Sequence, residues 1–349
     1  MTTGAKPGSQ GAKILVLGAG NFGTCLAQLL AEKGYHVTMW SRSDEIVQSI
    51  NQSRKNPKYL SGLTLSPRIA AINTITSDVV AQATVILVAT SAQSLSTVLP
   101  QLRPGYRSES LLICAAKGID VETMRLPTEM ISEALGTKVA DASVFLSGPS
   151  FAAEVAARQP TAVVVASKDA GRAHWAQELF HAAHFRVYTS TDPIGLEVAG
   201  ALKNVIAIAA GASVGIGFQM NSRAALITRG LAEITRVGVA LGAQPITFKG
   251  LGGVGDLFLT CTSEKSRNFT VGYRLGKGES LEQILNSVGS VAEGVATTKA
   301  ARALANQLKV DAPITEEVYK VLYERKPITQ AVMDLLTRDA KPEFDLSAT

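Results

Sequence analysis

Apolar residues fall into two textures along the chain, and the change comes near Asp192-Pro193. Before it, short β-branched runs alternate with longer helical patterns. The runs are Lys13 to Leu17, His36 to Trp40, Val85 to Ala89, Leu111 to Ala115, Val144 to Leu146, Ala162 to Ala166 and Arg186 to Tyr188. Such alternation predicts a parallel sheet wound with helices on both faces. From Ile194 onward the spacing is helical. It predicts helices at Gly195 to Gly211, Ser222 to Leu241, Leu281 to Val288, Val295 to Leu308, Ile314 to Tyr323 and Ile328 to Leu336, joined by glycine-rich turns. The expected organisation is a disordered tail over 1–12, an α/β domain over 13–191, an all-α domain over 192–337 and a loose tail over 338–349. The cleft between the two domains is the natural active site.

The first strand runs straight into Gly18-Ala19-Gly20-Asn21-Phe22-Gly23 and then a helical stretch from Thr24 to Glu32. Strand, GxGxxG turn and helix in this order make the α/β domain Rossmann-type. Gly18, Gly20 and Gly23 allow a tight turn and close backbone approach to a pyrophosphate seated on the helix N-terminus. The end of the second strand selects the dinucleotide. Where an acid would bind a ribose 2′-hydroxyl, Met39-Trp40-Ser41 leads to Arg42, which suits a 2′-phosphate; Asp44, two residues on, is the alternative ribose ligand. NADP is therefore favoured and NAD remains possible. Two further strands end at the same sheet edge, one delivering Lys117-Gly118 and the other Ser147-Gly148-Pro149-Ser150-Phe151-Ala152. Lys117 is either an ammonium aimed at the crevice or a surface lysine of a βα loop.

Lys203 lies in the helical pattern Val198 to Ala209, whose other positions are almost wholly small or apolar. An ammonium there must snorkel, be paired or do chemistry, because burial disfavours its charge and lowers its pKa. A lysine brought toward neutrality is a competent proton donor and acceptor. Asn204 beside it adds a neutral donor and acceptor. The segment Gly250 to Gly272 supplies a partner acid, Asp256, and after an apolar helical turn the trio Ser266-Arg267-Asn268. Arg267 and Asn268 suit a small anion such as a phosphate. The bland alternative is a helix with Asp256 as its N-cap and a solvated Ser/Arg/Asn loop after it.

Composition narrows the partners. Hydrophobic residues make up 46% of 349, enough for two packed cores. The net charge of +5, from 34 basic and 29 acidic side chains without a dense basic block, gives no footprint for nucleic acid. Cys25, Cys114 and Cys261 lie far apart, as reduced core thiols of a cytosolic protein would. His181 and His184 lack a third ligand nearby, so no metal is expected. Met1 to Ala12 has no apolar signal region, and the uncharged stretch Asn204 to Ser222 is too interrupted by polar residues to span a bilayer, so no membrane insertion is expected.

The motifs GAGNFGTCLA, AAKGI, LSGPSFAAEVA, GLEVAGALKNVIAIAAG, GVGDLFLTCTSEKSRNFTVG and VAEGVATT occur in an order and spacing that resemble soluble NAD(P)-dependent glycerol-3-phosphate dehydrogenases of the bacterial type. The resemblance runs from about Lys13 to Lys326, and GALKNV with GD…SRN is its most specific part. It implies a helical domain like the C-terminal one of 6-phosphogluconate dehydrogenase, and reduction of dihydroxyacetone phosphate to sn-glycerol 3-phosphate for phospholipid synthesis. It implies that Lys203 exchanges the proton, with Lys117 and Asp256 also catalytic. Glycerol 3-phosphate would meet Lys117, Gly148, Ser150, Lys203, Asp256, Ser266, Arg267 and Asn268, to which Asn204 and Thr260 are added here. Cofactor contacts are implied for Asn21, Phe22, Arg42, Lys117, Ala152, Arg267, Val291 and Glu293. A threonine is common in the family where Ser150 stands, and other residues where Asn21-Phe22 stand; both changes keep the role. A cytoplasmic homodimer is expected. Two alternatives stand beside this reading: a β-hydroxyacid dehydrogenase acting on a small carboxylate, and a catalytically silent NADP-binding sensor.

Overall fold

The computed structural model describes residues 12–287, 292–340 and 342–343. Among them, β1 (Lys13–Leu17), β2 (His36–Trp40), β3 (Ile69–Ile72), β4 (Val85–Val88), β5 (Leu111–Cys114), β6 (Val144–Ser147), β7 (Thr161–Ala166) and β8 (Phe185–Ser190) form one sheet in the order β3-β2-β1-β4-β5-β6-β7-β8. Alternate residues point to opposite faces. Ile14, Val16 and Leu87 enter one apolar core and Leu15, Leu17 and Ile86 the other, so helices cover both faces of the strands.

Two expectations need correction. The edge strand β3 has no counterpart in the sequence reading, because four residues are too few to display a period; pairing with β2 recruits them. The sheet is also not wholly parallel, since β7 runs antiparallel to β6, with Leu146 opposite Val165. A parallel return needs a crossover long enough to recross the sheet, usually a full helix. Between β6 and β7 stands only the short helix Ala152–Ala156, so the chain turns back beside the strand it left.

The strand order reverses between β1 and β4. After β1 the chain moves outward to β2 and β3, then returns to the other side of β1. Adjacent loops therefore diverge at the carboxyl ends of β1 and β4, which opens a crevice. Gly18 and Ala89 line its floor, each tied to a neighbouring strand end, Gly18 N to Trp40 O at 3.0 Å and Ala89 N to Leu17 O at 2.8 Å.

After β8 the chain enters the long helix Pro193–Gly215. Asp192 starts it: its carboxylate accepts from Gly195 N at 2.9 Å and, outside the helix, from Gln244 N at 2.9 Å and Thr247 Oγ1 at 2.6 Å. By length and apolarity this helix meets the criteria for a membrane span, which the shorter stretch read from the sequence does not. It is instead the centre of the second core, with 89% of its most apolar window buried. Around it pack the helices Met220–Ala240, Arg267–Gly276, Glu293–Gln307 and Pro313–Tyr323. Glycines bring Arg267–Gly276 closest. A Cβ at Gly272 would lie 1.9 Å from Ile208 O, and one at Gly276 2.7 Å from Ala212 O. These contacts advance together along both helices, which therefore run parallel, and the same register sets Asn268 beside Asn204. A buried carboxylate, Glu197, reaches the other way and accepts from Thr128 N at 2.7 Å, in the first turn of helix Pro127–Leu135 beneath the sheet.

Candidate active site

Lys203 stands on the Pro193–Gly215 helix with its side chain 9% exposed. Its ammonium donates to Asp256 Oδ1 at 2.7 Å and to Thr260 Oγ1 at 2.9 Å. Thr260 in turn donates to Asp256 O at 2.6 Å, so a hydroxyl lone pair is left to face the lysine. Two of the three ammonium protons are thus held, and the third has no partner among the described residues. Asp256 Oδ2 accepts from Lys117 at 2.8 Å, with Ser147 Oγ at 3.4 Å. The result is one nearly inaccessible carboxylate between two ammoniums, one from a sheet edge and one from the helical core.

The charges tune one another. Burial lowers the Lys203 pKa from 10.5 to about 8, with Asp256 opposing the shift and Lys117 adding to it. Asp256 shifts the other way. Burial works against its charge, yet the ammoniums of Lys117 and Lys203, acting through space and by hydrogen bonds, hold its carboxyl below the ordinary range. Glu293, at the start of helix Glu293–Gln307, is pushed up to about 7 by burial, with Arg267, Lys117 and Lys203 pulling it back. Burial thus moves Lys203 and Glu293 toward neutrality from opposite sides.

The Asp256 and Ser266 expectations are refined. Asp256 is not an N-cap: a widened helical turn, Leu251–Gly255, leads into helix Asp256–Thr262, of which Asp256 is the first residue. Nor is Ser-Arg-Asn a loop. Ser266 caps Arg267–Gly276, its Oγ accepting from Phe269 N at 3.3 Å. That leaves the N–H groups of Arg267 and Asn268 without helical partners at a positive helix end. The exposed Arg267 guanidinium makes no hydrogen bond or ion pair with the described residues. Asn268 is buried, and Asn204 makes one long bond, to Gly200 O at 3.5 Å.

On the sheet side, Gly148 (φ +135°) sits where a Cβ would meet Val163 Cα at 2.9 Å, and Ser150 Oγ donates to Gly148 O at 3.0 Å. Ala152 opens the short helix after it. Facing the other end of the crevice, Asn21 and Phe22 begin helix Asn21–Glu32, whose N-terminus no side chain caps. The three glycines differ in purpose. A Cβ at Gly18 would strike Ala89 O at 2.7 Å and one at Gly23 would strike Gly18 O at 2.0 Å, whereas the space over Gly20 is open. A pyrophosphate fits that opening. Thr90, beside Gly18, has a buried hydroxyl without a partner among the described residues, as does Thr297 near Gly118. Arg42 is exposed just past β2 and unpaired among the described residues, while Asp44 accepts from Asn73 Nδ2 at 2.7 Å. Val291 lies outside the described residues.

One contributor escapes the sequence reading. Asn56, fully buried, donates to Ala19 O at 2.8 Å and Thr24 Oγ1 at 2.9 Å, bracing the glycine turn from a loop that carries no motif. Ser147, expected at the sheet edge, has its hydroxyl 3.4 Å from Asp256 Oδ2.

A crevice at a sheet's reversal point, joined to a helical core that presents a buried lysine paired with an acid, defines a two-domain nicotinamide-type dehydrogenase architecture. Family models described as the N-terminus and the C-terminus of NAD-dependent glycerol-3-phosphate dehydrogenase match residues 13–173 and 192–333. The chain is 50% identical over 333 residues to glycerol-3-phosphate dehydrogenase [NAD(P)+] of Geobacter metallireducens, covering 95% of this chain and 99% of the relative. It is 46% identical to that of Limosilactobacillus reuteri, covering 95% and 98%. The crystal structure of the Coxiella burnetii enzyme superposes with a TM-score of 0.89 at 35% identity, over 94% of this chain and 100% of that one. The chain belongs to the glycerol-3-phosphate dehydrogenase family. A ketopantoate reductase of Ralstonia solanacearum, at 15% identity and a TM-score of 0.55, shares the fold alone.

Proposed function

We propose that the protein reduces dihydroxyacetone phosphate to sn-glycerol 3-phosphate with NADPH or NADH, reversibly, in support of glycerophospholipid synthesis. The observation that carries this is the Lys203–Asp256–Lys117 group, one ammonium of which keeps a free proton at a pKa of about 8. Lys203 donates that proton from Nζ to the carbonyl oxygen as the carbon accepts hydride, so the C=O bond becomes CH–OH and the lysine is left neutral. The reduced nicotinamide supplies the hydride. Lys117 orients and polarises the same oxygen, and Asp256 holds both amines in place. The substrate phosphate sits on the Arg267 guanidinium, the Asn268 amide, the Ser266 hydroxyl and the two uncapped N–H groups at the start of that helix. Gly148, Ser150, Asn204 and Thr260 close the pocket around the glycerol carbons. Gly18, Gly20, Gly23, Asn21, Phe22, Arg42, Ala152, Val291 and Glu293 hold the dinucleotide, with Arg42 at the 2′-phosphate of NADP. Residues 13–191 and 192–337 act as the cofactor and substrate domains.

We place the enzyme in the cytoplasm, where its three buried thiols stay reduced, and read it as a homodimer without membrane insertion; exposed Ile246, Met220 and Phe258 are the kind of apolar surface self-association would cover. The test is NADPH oxidation with dihydroxyacetone phosphate by wild type and by Lys203→Met. Loss of a general acid lowers kcat by about 10²-fold or more while cofactor binding persists. Turnover within a few-fold of wild type would remove Lys203 from the chemistry.

A further inference from the structure

We infer that Gly294 is a positioning residue of the substrate site: its backbone N–H fixes which side of the Asn268 amide faces the cleft. The inference rests on the reading of Asn268 as a phosphate ligand. Gly294 is the second residue of helix Glu293–Gln307, whose N-cap position is Ala292, a side chain that can accept nothing. Its N–H is therefore one of the helix's orphan donors. Asn268, from another helix, supplies the missing cap, its Oδ1 accepting from Gly294 N at 2.9 Å.

A backbone N–H can only donate, so the amide oxygen is the atom it holds, and the NH2 group must point the other way. That NH2 makes no hydrogen bond with the described residues. Turned toward the cleft, it offers two protons to an anion; flipped, the amide would show the phosphate a repelling oxygen and leave Gly294 N–H buried and unpaired. Only glycine fits here. A Cβ at 294 would lie 2.7 Å from Asn268 Oδ1 and 2.7 Å from Asn204 O, inside the closest approach such atoms make. A larger residue must push the amide off its donor or shift the main chain one residue past Lys203. Thr298 Oγ1, donating to Gly294 O at 2.7 Å, holds the next peptide along.

The experiment uses the full-length enzyme and two probes: KM for dihydroxyacetone phosphate and competitive inhibition by inorganic phosphate. Gly294→Ala, Asn268→Ala and the double variant are compared. We expect each single variant to raise both constants by about tenfold to a hundredfold, the range of one charge-assisted hydrogen bond. The double variant should be no worse than Asn268→Ala. In Gly294→Ala the loss should fall on KM and on phosphate inhibition more than on kcat, and turnover of unphosphorylated dihydroxyacetone should lose less than turnover of dihydroxyacetone phosphate. A phosphate constant unchanged in Gly294→Ala but raised in Asn268→Ala overturns the inference and leaves the ligand reading intact; an unchanged constant in Asn268→Ala overturns the ligand reading itself. Additive effects in the double variant mean that Gly294 acts by a route other than Asn268 and also overturn it. Should Gly294→Ala not fold, Asn268→Asp and Asn268→Ala decide. The aspartate still accepts from Gly294 N–H, so it should keep the Tm that the alanine loses while weakening phosphate at least as much; equal Tm values would count against the inference.

Discussion

Asp256 and Glu233 are both buried carboxylates of the helical half, exposed to 2% each, yet they meet burial in opposite ways. Glu233 accepts from Ile314 N at 2.8 Å, Thr315 N at 2.9 Å and the Thr315 hydroxyl, which together cap the helix Pro313–Tyr323. Its partners are neutral, nothing is left over, and burial raises its pKa with those bonds opposing the rise. Asp256 is held by two ammoniums, and its pKa falls. What separates a structural acid from a chemical one here is the partners' remaining capacity. The donors on Glu233 are spent; Lys203 and Lys117 still carry protons. The cations divide in the same way, since Lys203 and Lys117 are engaged inside the protein while Arg267 and Arg42 stand exposed without a hydrogen bond or ion pair among the described residues.

The largest effect should come from Asp256→Asn. Without the carboxylate, Lys203 loses the charge that keeps its pKa from falling further, so fewer ammoniums remain at neutral pH. We expect kcat for reduction to drop by about 10²-fold or more. Wild-type reduction, which needs Lys203 protonated, should decline as pH rises through about 8, and oxidation, which needs it neutral, should rise through the same range. In the variant both limbs should move to lower pH; profiles that stay put would detach Asp256 from the titration.

Arg267→Ala comes next. A lost charge-assisted contact to phosphate weakens kcat/KM for dihydroxyacetone phosphate by about tenfold to a hundredfold, while the already poor use of unphosphorylated dihydroxyacetone changes little. Equal losses on both ketones would show that the guanidinium does not bind phosphate.

Arg42→Asp should shift the NADPH-to-NADH ratio of kcat/KM toward NADH by at least about tenfold, because a carboxylate repels a 2′-phosphate and accepts from a 2′-hydroxyl. Steady-state kinetics with both cofactors on both proteins decides it, and an unchanged ratio would hand the ribose to another group.

The smallest catalytic effect belongs to Glu233→Gln, which tests the comparison from its structural side. An amide can present one oxygen where the carboxylate presented two, so one of the Ile314 and Thr315 donors goes unpaired at a cost of about 1–3 kcal/mol. Thermal denaturation should show the lower Tm while kcat and both KM values stay within about twofold. A kinetic effect as large as that of Asp256→Asn would erase the distinction.

Much of this molecule is written locally. The β-branched runs fix most strands because period and burial coincide within five or six residues, and the glycine turn declares its ligand because its neighbours in sequence are its neighbours in space. Lys203 stands out for the same reason, a charge in an apolar helix. The family motifs imply roles for residues that a local pattern leaves ambiguous, Glu293 among them, since an acid at a helix start is equally explained by the helix dipole. Other features have no local signature. The reversal of β7 follows from how far a five-residue helix can carry the chain, and β3 exists only by pairing with β2. That Asp256 joins Lys117 to Lys203, across 139 and 53 residues of sequence, depends on the sheet edge docking against the helical core. The caps given by Asn268 to Gly294 and by Asn56 to the glycine turn belong to the same kind. Sequence determined which groups would be charged, apolar or turn-forming, because those are properties of single residues and short periods. Tertiary structure decided which protons are spent and which remain free, because a hydrogen bond depends on where two distant segments come to rest.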